Sequence, residues 1–381
     1  MSAPPDLPPE LWLRVETFLA DTAEDPETIA ADLVAWADGG PPEDLEGLLD
    51  ALRDRGAYPI SLHVLAAAWE AEMPEDLLGR VAHDRVGTIL HGLGDRAGAV
   101  QVARSMQARA LELGPAFAGD LGDLWLSMGL TEAAGALVRA AAADHPGDLA
   151  LRFNLGVVQK LAGEWAASRE SFTAVLRHHA DQAALWNLGI ACTALADWPG
   201  ARAAWSTLGF PMPPGDGDIA TPGEMVALQI PGDGSPEVVW GRRLCPARAQ
   251  LRTLPFRSGF ANFGDILLID GVPAGELAYP DGQRGPILPA LAVLDRRGVQ
   301  TAVAEGPFSA RGQATMGRVA ELLNTRGWPA ADWTELVGST HLCLALGLVP
   351  PATLADARAA LAELSGGLTL TPPRLRAGDA S

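Results

Sequence analysis

Two small groups of residues in this chain carry side chains that could do chemistry. His341 and Cys343 share one face of a strand by its period of two, and with Cys245 they could make a thiol–imidazole site. Zinc would need a fourth ligand, and none is apparent; the plainer reading is an ordinary histidine on a small-residue face. His178-His179 with Asp181 invites a metal, but neighbouring histidines on a helix point about 100° apart and do not converge. They suit a helix C-terminus, where cations complement the dipole. The chain has no GxGxxG after a strand, no GxxxxGK[ST], no HExxH and no GxSxG. We therefore expect no catalytic residues, no cofactor and no metal.

A third group could bind rather than react. Arg242, Arg243, Arg248, Arg252 and Arg257 fall within sixteen residues, and no acid lies between Glu237 and Asp265. Such a patch can protect the solvent face of strands. It can also dock on an acidic protein or on the acidic half of the same chain. Trp240 and Phe256 flank it and could stack on bases, but nucleic acid is the least favoured of these readings.

The elements that must hold these residues change character midway. Residues 1–9 (MSAPPDLPP) are proline-rich and predict an unpacked start. From Glu10 to Phe210, apolar residues recur at three- and four-residue spacing between short Gly, Pro or Asp breaks, which predicts successive helices. Residues 211–223 (PMPPGDGDIATPG) hold four prolines and three glycines and predict a linker. Beyond it, EMVALQI, EVVWGRRL, AQLRTLPF and DILLID read as strands, with another near Glu276–Tyr279. Val299–Val303 and His341–Val349 read as further strands, Gly312–Arg326 and Ala352–Leu364 as helices, and 372–381 as a tail. Residues 224–371 are thus expected to be an α+β domain ending in a split β-α-β unit.

The helical half repeats. Asn154-Leu155-Gly156 matches Asn187-Leu188-Gly189 at a shift of 33, and Trp165 with Trp198, and Phe172 with Trp205, match at the same shift. Asp120-Leu121-Gly122 lies 34 residues before the first of these, and Val86-Gly87 lies 35 before Leu121-Gly122. Gly94, Gly129, Gly163 and Ala196 follow the four glycines by seven residues. A period near 34 built of two helices predicts a helical solenoid. The small residues at Gly87, Gly122, Gly156 and Gly189 allow the first helix to press on the second. Ala99, Ala134, Ser168 and Ala201 supply small partners, and Phe172 and Trp205 are expected to fill the space toward the next unit.

This pattern resembles the tetratricopeptide repeat (TPR) family over residues 80–210, most closely over 149–210. Residues 10–79 read as degenerate helical pairs. Ala103 departs from the family in being small, and Val138 in being intermediate. The resemblance implies that the first helix of each unit lines a concave groove. Residues two before each glycine, here Asp120, Asn154 and Asn187, would then face a bound peptide, with Lys160 nearby to meet a carboxylate. It also implies binding of peptides or proteins without chemistry of its own. The stretch Trp240–Leu244, Pro255-Phe256 and Phe263–Leu267 is similar to small bacterial α/β domains, a likeness that brings no activity. Leu7–Trp12 with Phe18-Leu19 is similar to the opening of an F-box, but a proline before a first helical turn explains the same letters.

The net charge is −19, and residues 1–210 carry most of it, with 30 acids against 14 bases. That surface repels phosphate and makes the helical half a poor nucleic-acid binder. The first base is Arg14, and no apolar run reaches the roughly 18–20 residues that span a bilayer. Three widely spaced cysteines read as reduced thiols. One lysine against 27 arginines, with abundant alanine, suggests a GC-rich bacterial source. The expectation is a cytoplasmic bacterial adaptor: a TPR-like groove takes a peptide or protein, and the α+β domain contacts a second surface. The alternatives are an immunity-type inhibitor of a basic enzyme and an enzyme with its site in the C-terminal half.

Overall fold

The computed structural model describes residues 7–20, 24–37, 42–221, 223–232, 235–257, 259–279, 282–306, 321–323, 325–336, 338, 342–362 and 369–371. Most of the N-terminal stretch, most of the expected helix Gly312–Arg326, His341 and the tail lie outside the described residues. The chain forms two compact units. The first is Met1–Ala162 with Glu170–His178, and the second is Gly163–Arg169 with His179–Ser381. The division falls within a helix, not in the proline-rich segment 211–223.

The first unit is helical. It opens with α1 (Pro9–Ala20), α2 (Pro26–Ala37), α3 (Pro42–Arg55) and α4 (Tyr58–Glu70). Leu7, expected to be unpacked, is buried against this core. The repeat proper follows as α5 (Glu75–Gly87), a π turn (Thr88–Gly92), α6 (Arg96–Ser105), α7 (Gln107–Leu113), α8 (Pro115–Ser127), α9 (Thr131–Asp144), α10 (Leu149–Leu161) and α11 (Trp165–Leu176). Local chemistry sets the boundaries. Asp95 and Asp148 cap helices by accepting from Gly98 N and Leu151 N. Gly94, Gly129 and Gly163 end the first helices with φ near +70°.

The repeated glycines act as the sequence suggests, with one correction. A Cβ on Gly156 would lie 2.8 Å from Phe172 Cζ, and one on Gly122 would lie 2.5 Å from Val138 Cγ2. The large residue sixteen positions on therefore fills the space inside its own helix pair rather than toward the next unit. Ala103 occupies that position in the preceding pair, and Gly87 faces Met128 instead. The same pair carries the π turn and the break between α6 and α7 at Met106.

Besides residues 163–169, the second unit holds the last helix pair, α12 (Gln182–Ala194) and α13 (Trp198–Thr207), capped by Asp181 and Asp197. Ala196 ends α12 at φ 55°, the left-handed position that glycine holds in the other pairs. A strand region follows: β1 (Met225–Ile230), β2 (Glu237–Cys245), β3 (Arg248–Leu251), β4 (Ile266–Ile269), β5 (Gly275–Ala278) and β6 (Arg284–Asp295). The order is β1-β2-β3-β4-β6-β5, and β1 also pairs in parallel with β6, so the sheet closes into a small barrel. Val226, Leu228, Val239, Leu251, Leu267 and Leu288 are among the residues filling its interior.

Behind the barrel in sequence come β7 (Gln300–Gly306), β8 (Ala330–Asp332), β9 (Leu342–Leu348), α14 (Leu354–Ala362) and β10 (Thr369–Thr371). They form a second sheet in the order β10-β7-β9-β8, and each neighbouring pair is antiparallel. Leu254 and Trp333 join Cys343 and Ala345 in an apolar cluster between this sheet and the loop after β3.

The last helix pair packs on the barrel. Ile190, Cys192 and Trp205 share a cluster with Ile219, Cys245, Ala247 and Leu268. Gly271 leaves the space that the Trp186 ring occupies. The intervening segment is held along its length. Arg202 donates to Pro213 O at 3.0 Å and Asp218 O at 3.4 Å, Thr221 donates to Leu244 O, and Ile219 is fully buried.

Candidate functional site

The four residues expected to line a groove have different environments. Asp120 is exposed on α8. Asn154 is only 6% exposed, and its amide donates to Gly119 O at 3.2 Å on the preceding pair. Asn187 is also buried and donates to Ala183 O, one turn back on its own helix. Lys160 is 5% exposed. The offset from the glycine does place these residues alike along the helices. In Asn154 and Asn187 the amide nitrogen donates to helix backbone.

Asp123, one turn beyond Asp120, was not singled out by sequence. Asn154 hydrogen-bonds its carboxylate, while desolvation, with Asp120 adding repulsion, holds its pKa above the usual carboxylate range. Arg85 stands at the same offset before Gly87 and was also missed, although the repeat alignment could have found it. It is half-buried, and desolvation lowers its guanidinium pKa against the opposing charge of Glu70. Asn154→Ala is expected to reduce stability by about 1–3 kcal/mol, because a buried carbonyl and a carboxylate each lose a donor. Urea unfolding checks this; an unchanged midpoint would show the amide to be dispensable to the fold.

The arginine cluster divides into roles. Arg248 is buried, ion-paired with Asp218, bonded to Ile219 O, and stacked over Trp198 at 4.6 Å. It anchors the last helix pair to β3. Arg243 donates to Pro246 O at 3.1 Å within its own turn. Arg242, Arg252 and Arg257 are exposed. Arg252 lies over Phe263 and Arg257 over Phe256. Among the described residues no carboxylate side chain pairs with any of these three guanidinium groups. Glu237, the acid that precedes the run, accepts from the backbone amides of Phe256 and Arg257.

The register explains how Arg242 and Arg252 share a surface. Arg242 lies opposite Met225 on β1 and Gln250 on β3, and Gly241 opposite Leu251. Alternation then sends Val239, Gly241 and Leu251 inward and Val238, Trp240, Arg242 and Arg252 outward. Tyr279 packs edge-on against Trp240 at 5.0 Å, and its hydroxyl donates to Pro286 O. Met225, Val238 and Tyr279 were not legible as site residues, because only the strand pairing brings them beside the arginines.

The cysteines are separated. Cys245 belongs to the cluster under the last helix pair, and Cys343 to the cluster of the second sheet. They do not converge on a common site. Burial, aided by Asp197, pushes the Cys192 thiol up to about 12, which suppresses its thiolate. His178 and His179 are exposed just beyond α11, with His179 Nε2 3.8 Å from Asp181. No cluster of metal-binding side chains is present among the described residues.

No family model matches the chain, and no curated protein sequence matches it. Solved structures do. One is a MamA RS-1 ArsTM double mutant, 16% identical, matched over 44% of this chain and 92% of its own, with a TM-score of 0.32. Another is a crystal structure of nearly identical TPR-like repeats of a Podosopora anserina kinesin light chain. It is 16% identical, matched over 49% of this chain and 95% of its own, with a TM-score of 0.30. At these scores neither likeness carries an argument about activity. The helix pairs themselves, closing on glycine at a period of 33–35, make the N-terminal region TPR-like, and a strand-rich region follows it.

Proposed function

We propose that the chain is a non-catalytic protein-interaction adaptor. The TPR-like array takes a peptide or protein, and the α+β half contacts a second surface through its exposed arginines. The observation that carries this reading is the repeated helix pair, which builds an extended surface from a local unit. We read the second sheet as a split β-α-β arrangement, in which α14 joins β9 to β10 across β7. A reducing compartment, the cytoplasm, accounts for three cysteines that are all free and buried. No described helix is long and apolar enough to cross a membrane.

Asp120 and Asp123 provide the test of the array. Both are exposed on α8 one turn apart. A partner captured by the full chain should bind at least about tenfold more weakly to Asp120→Lys with Asp123→Lys, a loss of about 1.4 kcal/mol. The melting temperature should fall no further than it does in Asn154→Ala, because Asp120 is exposed and the change at Asp123 removes the acceptor of the Asn154 hydrogen bond. Equal affinity in the charge-reversed protein would remove this helix from the binding surface.

A further inference from the structure

We propose that the outer face of the barrel across β1, β2 and β3 docks an acidic protein segment bearing an apolar anchor. The inference rests on the reading of the α+β half as a second contact surface, and it assigns that surface a chemistry. Two guanidinium groups on this face, those of Arg242 and Arg252, are exposed and lack carboxylate partners among the described residues. Arg14, Arg80 and Arg104, by contrast, each hold an acid.

The groups beside them are apolar and fixed. Trp240 lies between Arg242, two residues on, and Arg252, just beyond β3, which donates its backbone amide to Trp240 O at 2.8 Å. Tyr279 steadies the Trp240 ring, and the Tyr279 hydroxyl is itself bonded to Ala227 N and Pro286 O. Met225 is 40% exposed and Val238 46% exposed on the same face. Arg, Trp, Tyr and Met are the types concentrated where protein partners bury surface. Barrel closure leaves β1, β2 and β3 paired on both sides, so the contact is through side chains rather than by strand addition.

The charge distribution decides the class of occupant. Single-stranded nucleic acid binds through many phosphates and a succession of open rings. Here two cations are available, the chain as a whole carries −19, and Phe263 and Phe256 are each covered on one face by an arginine. A short acidic segment needs few cations and gains further from burying its anchor on Trp240, Met225 and Val238.

The experiment uses the full chain and three fluorescent probes at low salt: a random copolymer of glutamate and tyrosine, polyglutamate, and a thymidine oligonucleotide. The copolymer should bind more tightly than polyglutamate, and binding should weaken as salt rises. Arg242→Glu with Arg252→Glu should weaken copolymer binding at least roughly tenfold without altering the far-ultraviolet dichroism. Val238→Glu, at an exposed position, should weaken it too. Absence of copolymer binding, or equal binding by the charge-reversed protein, overturns the proposal. Oligonucleotide binding as tight as copolymer binding overturns it in favour of nucleic acid. A negative result here leaves the Asp120 and Asp123 test of the helical array standing, so the two readings fail separately.

Discussion

Trp205→Ala is expected to cost the second unit about 3–5 kcal/mol, a loss that would leave many domains of this size barely folded. The ring is fully buried, and no described group accepts from its Nε1, so no hydrogen bond is lost with it. What it supplies is contact. It lies over Gly189, where a Cβ would come within 2.6 Å, and packs edge-on against Trp186 at 5.1 Å. Its cluster includes residues of α12, α13, β2 and β4. Truncation therefore opens a cavity between the last helix pair and the barrel. Denaturant unfolding, followed by dichroism for the helices and by hydrogen exchange at Leu267 and Leu268 for the barrel, should show both weakened together. Gly189→Ala should destabilise the parent and do so less in the Trp205→Ala background, because the ring it strikes has gone. A loss below about 1 kcal/mol, or exchange at β4 unchanged by Trp205→Ala, would show that the cluster does not couple the two.

The parts of this fold that were legible in the sequence are those set by short-range rules. Gly122, Gly156 and Gly189, with Val138, Phe172 and Trp205 sixteen residues on, specify a helix pair locally, and the repeat makes the pattern visible. The barrel was not legible, because closure depends on β1 meeting β6 some sixty residues away. Pro286 and Pro289 further disguise β6 as loop; the pairing survives because their carbonyls still accept, from the Tyr279 hydroxyl and the Asp270 amide. The groove residues illustrate a different limit. Counting back from the glycine locates Asn154, but only the packed structure shows that Gly119 lies within reach of its amide. The arginine run was visible as composition. Its separation into one buried anchor and three exposed groups needed the register of β2 on β3 and the approach of α13.

Arg248→Met is expected to lower stability by about 2–4 kcal/mol and to free the segment between α13 and β1. The guanidinium is 4% exposed, yet its carboxylate partner Asp218 is 55% exposed. Removing the arginine therefore strands no buried charge, and the loss stays below that of a broken interior pair. What disappears is a charged hydrogen bond to Ile219 O, worth about 1.5–3 kcal/mol, and the stack on Trp198, worth about 0.5–2 kcal/mol. Methionine retains much of the volume, which keeps a cavity from adding to the effect. Asp218→Asn should cost less than about 1 kcal/mol, because the exposed carboxylate is already solvated. The two variants thus separate the ion pair from the anchor. Ile219 is the point at which the segment enters the apolar cluster, so Arg248→Met should also make residues 211–221 a site of early proteolysis, while the parent resists there. Equal costs for Arg248→Met and Asp218→Asn would place the stabilisation in the ion pair. Rapid cleavage of the parent within 211–221 would mean that the bonds from Arg202, Thr221 and Arg248 do not hold the segment in solution.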